Sequence, residues 1–137
     1  MTKEEFIKHA GQFIKKCSIV TVASINENGY PRAVPLAKLK SDGIDSIWFS
    51  TGAGSAKVKH FKTNAKASAS FYNENDNVAL TGKMEVLTDN ASKKELWQDW
   101  MKEHFPGGME DPEYVVLKFT AEEMTAWINT EFIHTAL

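Results

Sequence analysis

Apolar residues in the first part of the chain recur at helical spacing: Phe6, Ile7, Ala10, Phe13, Ile14 and Cys17. That spacing predicts an amphipathic helix over about residues 3–16. Thr2 and Glu5 supply a capping box, with Thr2 as N-cap and the Glu5 side chain reaching back to it. The period then changes. Residues 18–25 (SIVTVASI) alternate and are rich in β-branched side chains, which predicts a strand. Asn26, Asn28 and Gly29 tolerate positive φ and make the turn into a second strand over residues 30–39. Pro31 and Pro35 in that strand cannot donate ladder hydrogen bonds, so it is expected at an edge or beside a bulge.

Residues 46–51 (SIWFST) read as a third strand and residues 56–63 as a short helix. Two alternating segments, 67–72 (ASASFY) and 77–87 (NVALTGKMEVL), follow as a hairpin turned at 73–76. The spacing of Leu96, Trp97, Trp100 and Met101 predicts a helix over residues 92–104, stopped by Phe105-Pro106-Gly107-Gly108. Two closing strands, 114–120 and 124–128, are expected around a turn at 121–123. Many short strands with tight turns and few helices point to a mainly β fold with flanking helices, a barrel rather than a βαβ sheet. The 137 residues suit a single domain.

Composition narrows the function. Apolar residues make up 42% and charged residues 25%, the range of ordinary globular chains. With a net charge of −2 and no basic stripe interleaved with aromatics, no nucleic-acid partner is expected. The charged start, Thr2-Lys3-Glu4-Glu5, is not that of a secretory leader, and no apolar run approaches the ~18 residues needed to span a bilayer. No membrane association and a cytoplasmic location are therefore expected. The lone Cys17 excludes an internal disulfide and reads as a core residue. His9, His60, His104 and His134 stand at no metal-ligand spacing, so no metal is expected. Glu110, Asp111 and Glu113 beside Pro112 read as loop caps, not as a catalytic pair. Four Trp and eight Phe are a generous supply, and some are expected to face a partner subunit or a planar ligand.

The candidate chemistry lies in residues 47–57, IWFSTGAGSAK. A strand ends in hydroxyls, a Gly-rich turn follows, and a helix starts with Ser55 as N-cap and Lys57 in its first turn. A cation there opposes the helix dipole by a few tenths of a kcal/mol. A bound phosphate would reverse that sign, with backbone N–H groups, hydroxyls and the ammonium converging on one anion. The glycine spacing fits neither a P-loop nor a dinucleotide fingerprint. Taken alone, the stretch also fits a plain surface turn before a capped helix. The run Lys57 to Lys62 reads as basic on its exposed face, and Arg32, flanked by prolines, is either a site residue or an exposed ion-pairing one.

A longer series of segments then bears on the choice. Thr-Val-Ala (21–23), Asn-Gly-Tyr-Pro-Arg-Ala-Val-Pro (28–35), Ile-Trp-Phe-Ser-Thr (47–51), Ser-Ala-Lys (55–57), Asn-Ala-Lys-Ala-Ser-Ala-Ser (64–70), Thr-Gly-Lys-Met-Glu (81–85) and Trp-Met-Lys-Glu-His-Phe-Pro-Gly-Gly (100–108) occur in order. Together they resemble the pyridoxamine 5′-phosphate oxidase-related flavoproteins, and within them the general stress protein 26-like group. The resemblance covers about residues 5–128. It implies a split β-barrel acting as a homodimer, with two FMN sites at the subunit interface. It further implies that Arg32, Ala33 and Val34 line the isoalloxazine or its polar edge, that Ser50 and Thr51 meet the ribityl chain and phosphate, and that Ser55 and Lys57 hold the phosphate. Trp97 and the turn Phe105-Pro106-Gly107 would come from the partner subunit.

Two departures matter. The family's phosphate motif commonly reads Ser-Arg-Lys, and Ala56 stands at the Arg position, which removes a bidentate donor. FMN would then be held more weakly, or Arg32 and Lys59 would compensate. The C-terminal Arg-Leu-His-Asp-Arg-like segment of true pyridoxamine phosphate oxidases has no counterpart in Trp127 to Phe132, so the vitamin-B6 oxidase reaction is not expected. The resulting expectation is an FMN-dependent oxidoreductase of unknown substrate and with no assigned catalytic acid or base. The alternatives are a non-enzymatic flavin-binding or stress-linked sensing dimer, or a barrel that takes haem or a deazaflavin.

Overall fold

The computed structural model describes all residues, 1–137, and begins with the capped helix α1, Lys3–Lys16. The Glu5 backbone N–H donates to the Thr2 hydroxyl at 3.1 Å, and Glu4, Glu5 at the start and Lys15, Lys16 at the end complement the helix dipole. Phe6, Ala10 and Ile14, one turn apart, are buried against the sheet.

Seven antiparallel strands follow: β1 (Ile19–Ile25), β2 (Pro31–Asp42), β3 (Ser46–Gly52), β4 (Lys66–Asn73), β5 (Asp76–Leu87), β6 (Tyr114–Ile128) and β7 (Glu131–Ala136). Helix α2 (Ala56–Thr63) joins β3 to β4, and α3 (Asn90–Leu96) follows β5. The strand order is β3-β2-β1-β4-β5-β6-β7, and β3 also pairs with β6, which closes six strands into a barrel with β7 added outside. The fold is mainly β with flanking helices, as expected of a split barrel. Inward positions of the six barrel strands fill the barrel with one cluster that includes Val22, Phe49, Phe71, Leu80, Phe119 and Met124.

The prolines of β2 find their place by the same geometry. Residues Pro31 to Ala37 pair only with β1, and the pairing with β3 starts at Lys38 and shifts register between Lys38 and Lys40. The first half of β2 is therefore an edge, and the second half begins at a bulge.

Three expectations are corrected. The strands expected at 114–120 and 124–128 are one strand, β6. The expected turn at 121–123 is instead a bulge, where Gly82 faces Ala121 and Thr81 faces Glu123. Only glycine fits there, because a Cβ on Gly82 would lie 2.0 Å from the Thr120 carbonyl oxygen. Beyond the bulge β6 leaves β3 and pairs with β7, which the sequence reading did not contain. The turn into β7 uses Asn129 and Thr130, both at positive φ (52° and 64°), a conformation a β-branched residue rarely adopts.

The third correction concerns the helix expected over residues 92–104. α3 stops at Leu96, Trp97 and Gln98 are extended, and a 3₁₀ turn covers Asp99–Glu103. The Gln98 side-chain amide donates to the Leu39 carbonyl, 3.1 Å away, at the β2 bulge. That bond holds Gln98 out of the helix and satisfies a carbonyl that the bulge removes from the regular ladder.

Candidate functional site

β3 alternates inward and outward, so Thr51 points inward and is buried while Ser50 points the other way and is half-exposed. After the turn at Gly52 to Gly54, Ser55 occupies the N-cap of α2, yet its hydroxyl makes no capping bond and lies 3.4 Å from the Thr51 hydroxyl. Lys57, in the first helical turn, donates to the Thr51 hydroxyl at 3.0 Å. No acidic residue stands in that turn. Thr51, Ser55 and Lys57 thus converge on one point, and Ser50 is outside their hydrogen-bonded group.

Arg32 completes the arrangement from β2. Burial is the larger cause of a lowered Lys57 pKa, and the neighbouring positive charge of Arg32 is the second. Neither cation is ion-paired: the carboxylate ion pairs of the chain are made by Met1, Lys40, His60 and His134. Two cations beside uncapped helix N–H groups and two hydroxyls are a donor set that suits a phosphate. The two neighbours of Arg32 differ in direction. Ala33 is exposed opposite Ala23, whereas Val34 packs on the barrel core opposite Val22.

Within the Gly-rich turn, the N–H groups of Ala53 and Gly54 are already engaged. Glu113 takes both: its carbonyl accepts from Ala53 at 2.8 Å and its carboxylate from Gly54 at 2.9 Å. The Ser55 N–H goes to the Gly52 carbonyl. A Cβ on Gly52 would sit 2.8 Å from the Glu113 carboxylate oxygen, so a larger residue there would make the Glu113 side chain shift. The free donors are those of the first turn of α2.

Trp97, Phe105, Pro106 and Gly107 are not hydrogen-bonded to Thr51, Ser55 or Lys57, although the strand residue Tyr114, on which both aromatic rings pack, pairs with Gly52. Trp97 meets Tyr114 edge-on with ring centres 5.4 Å apart, and Phe105 tilts against the same ring at 5.2 Å. Phe105 is buried in this second small core with Leu96, Met101 and Val116. The Tyr114 hydroxyl donates to the Lys93 carbonyl, and burial pushes its pKa up to about 12. The Gly107 N–H donates to the Asp111 carboxylate, which also accepts from Glu113 N–H; these two bonds hold the Asp111 carboxyl below its usual range. The loop-capping role read for Asp111 is what the geometry shows.

His60 lies within the basic run of α2 but is itself buried. Its Nδ1 lies 2.8 Å from the Ser24 hydroxyl and its Nε2 3.3 Å from the Glu27 carboxylate. A carboxylate only accepts, so in the neutral tautomer with its proton on Nε2, facing Glu27, the Ser24 hydroxyl is the donor to Nδ1. No local pattern announces this contact, because its members come from a strand, a turn and a helix.

The comparisons with known proteins agree with this architecture. The family described as pyridoxamine 5′-phosphate oxidase like matches residues 5–137, and the chain belongs to that family. A Clostridium acetobutylicum structure, of a protein related to general stress protein 26 of B. subtilis (pyridoxinephosphate oxidase family), is 33% identical. The match covers 99% of this chain and 97% of that one, with a TM-score of 0.89. The general stress protein 26 of Bacillus anthracis is 20% identical over 94% of this chain and 98% of that one, with a TM-score of 0.76, and shows the same fold. No curated protein matches the chain significantly. The chain therefore has the fold of flavin-binding, oxidoreductase-like proteins. No helix is long and apolar enough to cross a membrane.

Proposed function

We propose that this chain binds FMN by its phosphate, with Lys57, Arg32, Thr51 and Ser55 as the anchors, and serves as an FMN-dependent oxidoreductase of unknown substrate. The observation that carries this reading is the pair Arg32 and Lys57, two neighbouring cations with no acidic partner. A dianionic phosphate would relieve their repulsion and meet the first-turn N–H groups of α2. Arg32 stands in for the planar donor that Ala56 lacks. Bound flavin would supply hydride or electron transfer at its ring. The chain's own groups would orient the cofactor and balance its charge. Ala33 and Val34, on the half of β2 that pairs on one side only, would lie along the ring, and Ser50 would meet the ribityl chain from the opposite face of β3.

The ring needs a second wall, which supports a homodimer. Tyr72, Trp127 and Phe132 lie on one lateral row of the outer sheet face and are exposed. Such a row favours burial against a second copy. Since Phe105 is buried in its own chain, the partner's contribution to the ring would fall to Trp97 and to the backbone of Pro106 and Gly107.

Titration of the purified protein with FMN and with riboflavin tests the site. FMN should bind much more tightly than riboflavin, and Lys57→Glu should abolish FMN binding; unchanged affinity in that variant would place the phosphate elsewhere. Size-exclusion chromatography should report a dimer, and a monomer would undercut the shared site. Turnover with reduced nicotinamide and trial acceptors separates an oxidoreductase from a flavin carrier.

A further inference from the structure

We propose that His60 is a positioning residue for the phosphate anchors: it fixes the helix that carries Lys57 to the strand pair that carries Arg32. This inference rests on the reading of Arg32 and Lys57 as phosphate ligands. Lys57 and His60 stand three residues apart on α2 and share one face of it. Ser24 is directly opposite Arg32 in the β1–β2 ladder, so the two side chains leave the sheet on the same side. The 2.8 Å bond between Ser24 and His60 therefore links the two cation-bearing elements one step behind the cations themselves.

The link has something to resist. Arg32 lowers the Lys57 pKa, so the two charges repel, and a helix free to slide would relax by moving them apart. Val58 and Phe61 also bury α2 against the barrel, but apolar contact does not fix a direction. A buried hydrogen bond does. His60 does not act on the phosphate directly, because both of its ring nitrogens are engaged, one by Ser24 and one by Glu27 at the turn between β1 and β2. Its effect is preorganisation: the two cation-bearing elements are held together before the ligand arrives.

The test compares FMN with riboflavin, which lacks the phosphate, on the intact protein and on Ser24→Ala, His60→Leu and His60→Asn. Ser24→Ala and His60→Leu should each weaken FMN by about tenfold, the loss expected for one directed hydrogen bond, and leave riboflavin within about twofold. His60→Asn, which keeps a polar group within reach of Ser24, should hold FMN close to the unmodified protein. If His60→Leu does not fold, Ser24→Ala decides. Equal losses for the two flavins, or no loss for either, would overturn the positioning role. Unmodified protein that binds FMN no better than riboflavin would overturn the phosphate reading, and this inference with it.

Discussion

A hydroxyl, an imidazole and a carboxylate are strung together twice in this chain, in the same order and at nearly the same distances. Ser24, His60 and Glu27 are joined at 2.8 and 3.3 Å; Thr125, His134 and Glu123 are joined at 2.7 and 3.4 Å. The first string has its hydroxyl and imidazole buried, at 2% and 7% exposure, and ties α2 to β1. The second lies on the open face of β6 and β7, with its imidazole 56% exposed, and joins strands already paired by their backbones. Equal geometry therefore does not mean equal energy. Water replaces the exposed bonds at little cost, whereas a buried polar atom that loses its partner bears the whole loss of hydration.

The largest expected contrast comes from removing the imidazoles. His60→Leu leaves the Ser24 hydroxyl buried without a partner and should cost about 1–3 kcal/mol in urea unfolding. His134→Leu should stay within about 0.5 kcal/mol, as surface substitutions do. Equal costs would show that burial does not set the difference. Removing the hydroxyls is milder: Ser24→Ala should cost about 1 kcal/mol, and Thr125→Ala less than half of that, by the same measurement.

The smallest effect belongs to Glu27 and shows as pH dependence. Its carboxyl is held below the ordinary 4.5, first by hydrogen bonding to its own backbone and then, against some loss of hydration, by the charges of His60 and Lys59. An acid with a depressed folded pKa stabilises the fold above its ordinary pKa, and that contribution is lost as the pH falls through the lowered value. Glu27→Gln should therefore flatten the acid side of the stability profile slightly and leave neutral stability almost unchanged. A variant that instead steepened the acid side would reverse the assigned sign.

Much of the fold was legible because local pattern and tertiary role coincide. The Thr2 and Glu5 box, the alternation of β1, β3, β4 and β5, and α2 all appear where spacing put them. The failures share a cause, which is that distant residues decided them. Gln98 leaves the helix for a carbonyl on β2, β6 runs through its apparent turn because Gly82 lets β5 approach it, and β7 follows a turn made by Asn129 and Thr130 rather than by a glycine. The site divides the same way. Lys57 stood out locally, as a cation at the wrong end of a helix, and Arg32 was singled out by its prolines. Glu113 reads only as a loop cap and His60 only as part of a basic run; local spacing does not find their partners, which lie on other elements.

Closure of the barrel at β3 and β6 carries a kinetic consequence. Ser46 registers with Thr120 and Gly52 with Tyr114, so a whole hairpin, β4–β5, and two helices intervene between the paired strands. The loop entropy of that pairing is met before its contacts are gained, which makes closure a slow and late step of folding. Until β6 arrives, one edge of β3 and one of β5 stay unpaired, and a chain emerging from the ribosome holds both open until β6 has been made.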